Sequence, residues 1–194
     1  MKTISFLIIL SQVCISSCKT TKPGAGIKPE VTKVPVSVAE DATQQVNFSD
    51  QATWLLGYFN LDRLTISPHS EWYIKGYDEY QPENEIVKKL QNELIDNLQI
   101  KIIMGTWCPD SRREVPRFMR VLHSWKFPVS RVHFIGVDNS KLSPVAEYDS
   151  LHIERVPTFI IYKNNIEAGR IIENPVTSLE QDMGKILTGI NNNK

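Results

Sequence analysis

Between residues 85 and 190 the chain alternates between helical and strand-like hydrophobic rhythm. Ile86, Leu90, Leu94, Ile95 and Leu98 fall on one face of a predicted helix over 85–98. Residues 99–105 are a short, mostly apolar run suited to a buried strand. A second helix is predicted over 110–125, with Val115, Phe118, Met119 and Leu122 on one face, and 131–137 reads as another buried strand. Ser143-Pro144 resembles a capped helix start, so 143–151 is predicted helical. Residues 158–162 and 166–172, joined at Lys163-Asn164-Asn165, read as a β-hairpin. Leu179, Met183, Ile186, Leu187 and Ile190 mark a closing helix over 178–190. This order predicts an α/β sandwich, a central mixed sheet with helices on both faces, over residues 85–192.

Upstream the rhythm weakens while aromatic residues become dense: Phe48, Trp54, Tyr58, Phe59, Trp72, Tyr73, Tyr77 and Tyr80. Residues 46–84 are read as an N-terminal extension that packs on the main domain. A short helix is expected over 52–59, and loops or a short strand near 71–75. Residues 18–45 carry Pro23, Pro29 and Pro35, two glycines and no aromatic residue, a composition that reads as a flexible tether. As a coil it would span about 30 Å.

The chain begins with Met1-Lys2-Thr3 and a short apolar run over 4–10, the layout of a secretory signal peptide. The run is too short to cross a bilayer as a helix. Ile15-Ser16-Ser17-Cys18 resembles the lipobox of bacterial lipoproteins, and Cys14 fits that pattern less well. The resemblance implies removal of residues 1–17 and diacylation of Cys18 as the mature N-terminus. The protein would then be anchored by lipid in the bacterial cell envelope, facing the periplasm or the cell surface. A plain cleaved signal peptide is the alternative.

Composition narrows the functions. Of 194 residues, 22 are basic and 22 acidic, so net charge gives no reason to expect a nucleic-acid partner. The 41% hydrophobic content excludes a mostly disordered chain. Three cysteines are too few for a disulfide scaffold. His69, His123, His133 and His152 lack metal-ligand spacing, and nothing resembles a phosphate loop, so neither metal nor cofactor is expected.

The candidate chemistry lies in Gly105-Thr106-Trp107-Cys108-Pro109-Asp110-Ser111-Arg112-Arg113-Glu114-Val115-Pro116. A cysteine at a strand-to-helix junction sits beside the unpaired N–H groups of the first helical turn, whose partial positive charge favours thiolate. Ser111 lies one turn on, placed to donate a hydrogen bond to the sulfur. Arg112 and Arg113 read as solvated.

Trp-Cys-x-x-Ser-Arg-x-Glu-x-Pro resembles the thioredoxin superfamily, particularly the membrane-tethered TlpA/ResA type, through Trp107, Cys108, Arg112, Glu114 and Pro116. A second landmark is Val156-Pro157-Thr158-Phe159, ahead of the hairpin. The resemblance implies a cis Pro157 packed against Cys108, a substrate groove formed by Trp107, Pro109, Val156 and Pro157, and Glu114 as the acidic group near the thiol. Ile102 stands where many thioredoxins bury an aspartate.

One departure outweighs these matches. Ser111 replaces the second cysteine, so the mature monomer has no resolving thiol for a dithiol cycle. The expected activity is monothiol exchange through Cys108 with extracytoplasmic protein thiols and disulfides, with Ser111 and Glu114 assisting. The alternative is a redox-inactive thioredoxin-fold adaptor. A peroxidase fits less well, because the Thr/Pro pattern preceding a peroxidatic cysteine is absent.

Overall fold

The computed structural model describes residues 45–93 and 95–189. The signal peptide, Cys18 and nearly all of the tether lie outside them. Three apolar runs build the centre of a five-stranded sheet. β2 (Leu98–Met104) pairs parallel with β3 (Val132–Gly136) and antiparallel with β4 (Thr158–Lys163). β5 (Ile166–Ile172) returns antiparallel on β4 through Asn164 and Asn165, both left-handed with φ of 54° and 63°. Asparagine tolerates that conformation better than most residues, which suits the tight hairpin. β1 (Gly57–Phe59), from the extension, pairs antiparallel with β3 and completes the order β1-β3-β2-β4-β5.

Side-chain alternation sorts the sheet into two apolar faces. Ile100, Ile102, Met104, Phe134, Phe159 and Ile161 join the larger core with the helices. α4 (Pro109–Trp125) is the principal helix there, and Phe118 stacks on Phe159 at 4.2 Å between ring centroids. α3 (Asn84–Gln91) and α5 (Leu179–Leu187) pack with α4, and α2 (Ser70–Glu79) lies along it, preceded by the short α1 (Asp62–Thr65). On the opposite face Ile103, Ile135 and Ile160 meet Val137, Tyr148, Leu151 and Val156.

Four segments depart from the expectations above. The helix expected over 143–151 contracts to one 3-10 helix, Tyr148–Leu151, the helical element on the second face. Ser143 Oγ donates to Gly136 O (3.0 Å) instead of capping, and Tyr148 OH reaches back to Lys141 O (2.7 Å). The strand suggested near 71–75 is α2: Tyr73, Tyr77 and Tyr80 recur at helical spacing, and Tyr73 stacks on Tyr77. Gly76 lets α2 approach α4 closely, since a Cβ there would lie 2.7 Å from the Pro116 ring. The helix expected over 52–59 is a 3-10 turn, Gln51–Thr53, followed by β1. Gly57, at φ 72°, turns the chain left-handed between them. Finally, α3 ends at Gln91, and Leu98 begins β2 instead of closing the helix.

Buried carboxylates tie the extension and α5 into this frame. Glu180 accepts Tyr80 OH (2.8 Å) and the Glu83 N–H (2.9 Å). Asp182 accepts Thr177 Oγ1 (2.6 Å), the Lys185 ammonium (3.1 Å) and the Val176 and Thr177 amides. Burial disfavours the Asp182 charge, but these donors outweigh it and hold its pKa below the ordinary carboxylate value. The resulting stabilisation is complete above the unfolded-state pKa of about 4 and disappears as pH falls through the lower folded-state value. Asp182→Asn is therefore expected to cost about 1–2 kcal/mol at pH 7 and to flatten the loss of stability below pH 4. Urea unfolding of both proteins across that range checks this, and identical acid slopes would contradict it.

Candidate active site

Cys108 is the N-cap of α4, where its backbone is extended (φ −79°, ψ 123°) and Pro109 opens the helix. Its carbonyl accepts the Arg112 N–H (3.1 Å), and its own N–H donates to Gly105 O (3.0 Å), closing a tight turn out of β2. Gly105 is required there, because a Cβ would meet the Trp107 indole at 2.5 Å. The thiol donates to Val156 O (3.4 Å), and the Val156–Pro157 peptide bond is cis. Two loops far apart in sequence thus meet at the sulfur, which belongs to a residue only 7% exposed.

The remaining predicted site residues divide around this contact. Pro109 is exposed beside the thiol, whereas Val156 and Pro157 are buried behind it. Trp107 is half-buried, and its indole N–H donates to Val137 O (3.0 Å). Ser111 is fully buried, and its hydroxyl accepts the Gly105 N–H (3.3 Å). No hydrogen bond joins Ser111 to the sulfur among the described residues: its hydroxyl accepts from Gly105, and the thiol turns to Val156. Glu114 is also buried, but its Oε1 is taken by Arg113 Nε (2.7 Å) and Arg117 Nη1 (3.1 Å). Its carboxylate is engaged by guanidinium groups, and no hydrogen bond joins it to Cys108 among the described residues.

Sequence patterning missed the grip of the extension on this loop. Leu55 N–H donates to Thr106 Oγ1, whose hydroxyl donates to Thr53 O, both at 3.2 Å. Trp54 donates its indole N–H to Phe48 O (3.0 Å), and its ring lies 6.4 Å from that of Trp107. Phe48 in turn lies under the Arg112 guanidinium, 4.6 Å from ring centroid to Cζ. Arg112 closes the circuit, donating through Nη1 to Thr106 O and Trp107 O, each at 2.9 Å. It is half-buried, not solvated, and burial lowers its pKa, an effect opposed by its electrostatic interaction with Cys108. The available signal was its position four residues after Cys108, on the same side of the helix.

Behind Phe48 sits His69, buried and stacked on that ring at 5.9 Å, with Nδ1 lacking a hydrogen-bond partner among the described residues. Burial, followed by Arg63 and Arg112, lowers its pKa and favours the neutral imidazole. Among the described residues no His, Cys, Asp and Glu cluster is arranged to hold a metal ion. None of their helices is long and apolar enough to cross a membrane.

Together, the helix rising from the cysteine, the parallel β2–β3 pair, the antiparallel β4–β5 hairpin and the cis proline facing the thiol define a thioredoxin-like fold. Within the described residues the site holds one free thiol.

No protein-family model matches the chain, and no curated protein matches it. Similar solved structures include a protein of unknown function from Pseudomonas aeruginosa, 12% identical, with a TM-score of 0.47, covering 64% of this chain and 85% of that one. An HIV epitope scaffold is 17% identical, with a TM-score of 0.41 and coverage of 62% and 81%. The yeast mitochondrial 1-Cys peroxiredoxin is 18% identical, with a TM-score of 0.34 and coverage of 58% and 96%. The fold assignment rests on the topology rather than on these distant likenesses.

Proposed function

We propose that this protein is a membrane-tethered, monothiol exchange protein of the TlpA/ResA type, acting through Cys108 on protein disulfides outside the cytoplasm. The observation that carries the reading is the Cys108 thiol at the α4 N-cap, held on the carbonyl that precedes cis Pro157. The lipobox-like Ile15-Ser16-Ser17-Cys18 supports a lipid anchor, and the proline-containing tether supports reach from the membrane. Cys108 thiolate attacks one sulfur of a substrate disulfide, forming a mixed disulfide and releasing the other sulfur as a thiolate. An external thiol, or a second cysteine of the substrate, then attacks the substrate sulfur and returns Cys108 as thiolate. Trp107, Pro109, Val156 and Pro157 border the approach, and Ser111 keeps the Gly105 turn in shape.

Trapping partners on Cys108 in intact cells tests the proposal. Alkylation at harvest should preserve adducts that a reductant releases and that Cys108→Ala lacks. Absence of any such adduct would count against exchange.

The burial of Cys108 favours a second reading, a redox-inactive adaptor. In that case Cys108→Ala leaves the phenotype intact, while substitutions of Trp72 or Tyr77 do not.

A further inference from the structure

A groove of about 510 Å³ opens beside the thiol, between the start of the extension, α2 and the corner carrying Cys108. That volume falls within the range of small-ligand and peptide-anchor pockets. Phe48, Trp72 and Trp107 supply aromatic walls, and Trp107 and Pro109, the two sequence neighbours of Cys108, line the end of the groove next to the thiol-bearing corner. Its charged lining consists of Arg112, Lys75 and Glu71, two cations against one anion.

Among the described residues the Arg112 cation forms no ion pair. Arg113, Arg117, Arg155 and Arg170 each pair with a carboxylate, whereas Arg63, Arg120 and Arg131 share the lack of an ion pair with Arg112 but do not line the groove. Arg112 instead meets two backbone carbonyls and the Phe48 ring, all neutral, and neither it nor Lys75 forms an ion pair among the described residues. Both of these bonds use Nη1, although a guanidinium carries five N–H donors. A half-buried guanidinium fixed in orientation is pre-organised for a carboxylate, which binds it more strongly than a neutral acceptor does. Trp72 contributes its ring to the wall, while its indole N–H is buried away from the groove.

We propose that this groove binds an acidic segment of a partner polypeptide, its carboxylate on Arg112 and Lys75, beside the cysteine presented to Cys108. The position of that cysteine rests on the thiol-exchange reading; the docking of the acidic segment does not. The extension is then part of the recognition surface as well as a brace for the catalytic loop.

Calorimetry on the full-length protein tests this with two blocked hexapeptides, identical except for two glutamates or two lysines flanking a central serine. The glutamate peptide is expected to bind at least about tenfold more tightly at low salt, with the preference shrinking at high salt. Lys75→Glu, at an exposed position, should remove most of the preference, and Arg112→Met should abolish it. Equal binding of both peptides, or an undiminished preference in Lys75→Glu, would overturn the proposal. Glu40→Gln with Asp41→Asn, in the tether, should leave affinity unchanged. A several-fold gain would instead make the tether the occupant and overturn an external partner.

Repeating the comparison with cysteine peptides, each presented as a disulfide with a small thiol, separates the two readings. Preferential binding without exchange at Cys108 removes the exchange reading and leaves the docking site standing. Exchange at equal rates for the acidic and basic peptides removes the docking site and leaves exchange standing.

Discussion

Ser111→Cys is expected to turn the single-thiol site into a reducible pair. Residue 108 is the N-cap of α4 and residue 111 lies in its first turn, so the substitution recreates the Cys-x-x-Cys spacing at a helix start that supports a reversible disulfide. Oxidised glutathione should close this bond in two exchanges: a mixed disulfide first, then attack by the second cysteine, releasing two molecules of glutathione. The variant then acquires a measurable reduction potential, which the wild-type domain lacks because it holds one thiol among the described residues. The change sacrifices the hydroxyl that accepts the Gly105 N–H, an expected cost of about 1 kcal/mol in stability. Mass analysis before and after reduction checks the bond. If no internal disulfide formed, the turn from residue 108 into α4 would differ from the geometry described.

Phe159→Ala is expected to give a large loss of stability. The ring is fully buried two residues after Pro157, faces Ile102 across the sheet and stacks on Phe118 of α4. Removing it deletes apolar burial and the ring–ring contact, and leaves a cavity that α4 and the sheet cannot readily fill, a cost of about 3–5 kcal/mol. That is a sizeable share of the roughly 5–15 kcal/mol typical of a whole domain. The denaturation midpoint measures it, and a loss below about 1 kcal/mol would show that the interface repacks.

The part of the fold legible in the sequence is the part whose burial produces periodicity. β2, β3 and the β4–β5 hairpin are apolar runs bounded by turns, and α4 presents Val115, Phe118, Met119 and Leu122 to one core. Their pattern records solvent exclusion directly. Residues 46–84 were harder because their aromatic side chains pack through ring edges, an arginine and a glycine crossing rather than along one uniform apolar stripe. Residues 143–151 misled for a different reason: Ser143 and Pro144 make a convincing local start, but tertiary bonds from Ser143 and Tyr148 redirect the chain. Local propensity yields where longer-range partners are better.

For the site, Cys108 and Pro157 were legible as landmarks, and the structure joins them through Val156 O. The role of Arg112 was not, because nothing local reveals that Phe48, 64 positions earlier, lies against its guanidinium. The i,i+3 spacing of Glu114 and Arg117 on α4 was a legible sign of their pairing, whereas nothing local shows that Ser111 would turn back to the Gly105 N–H.

The central claim, a reactive thiol without a resolving partner, is tested most directly by incubating the native full-length protein with a peptide disulfide and following the products by intact mass. The account predicts one mixed disulfide at Cys108, formed with stoichiometric release of peptide thiol, persisting until an external thiol is added and absent from Cys108→Ala. A native protein that forms no adduct at Cys108, while the same protein reacts there once unfolded, would contradict it.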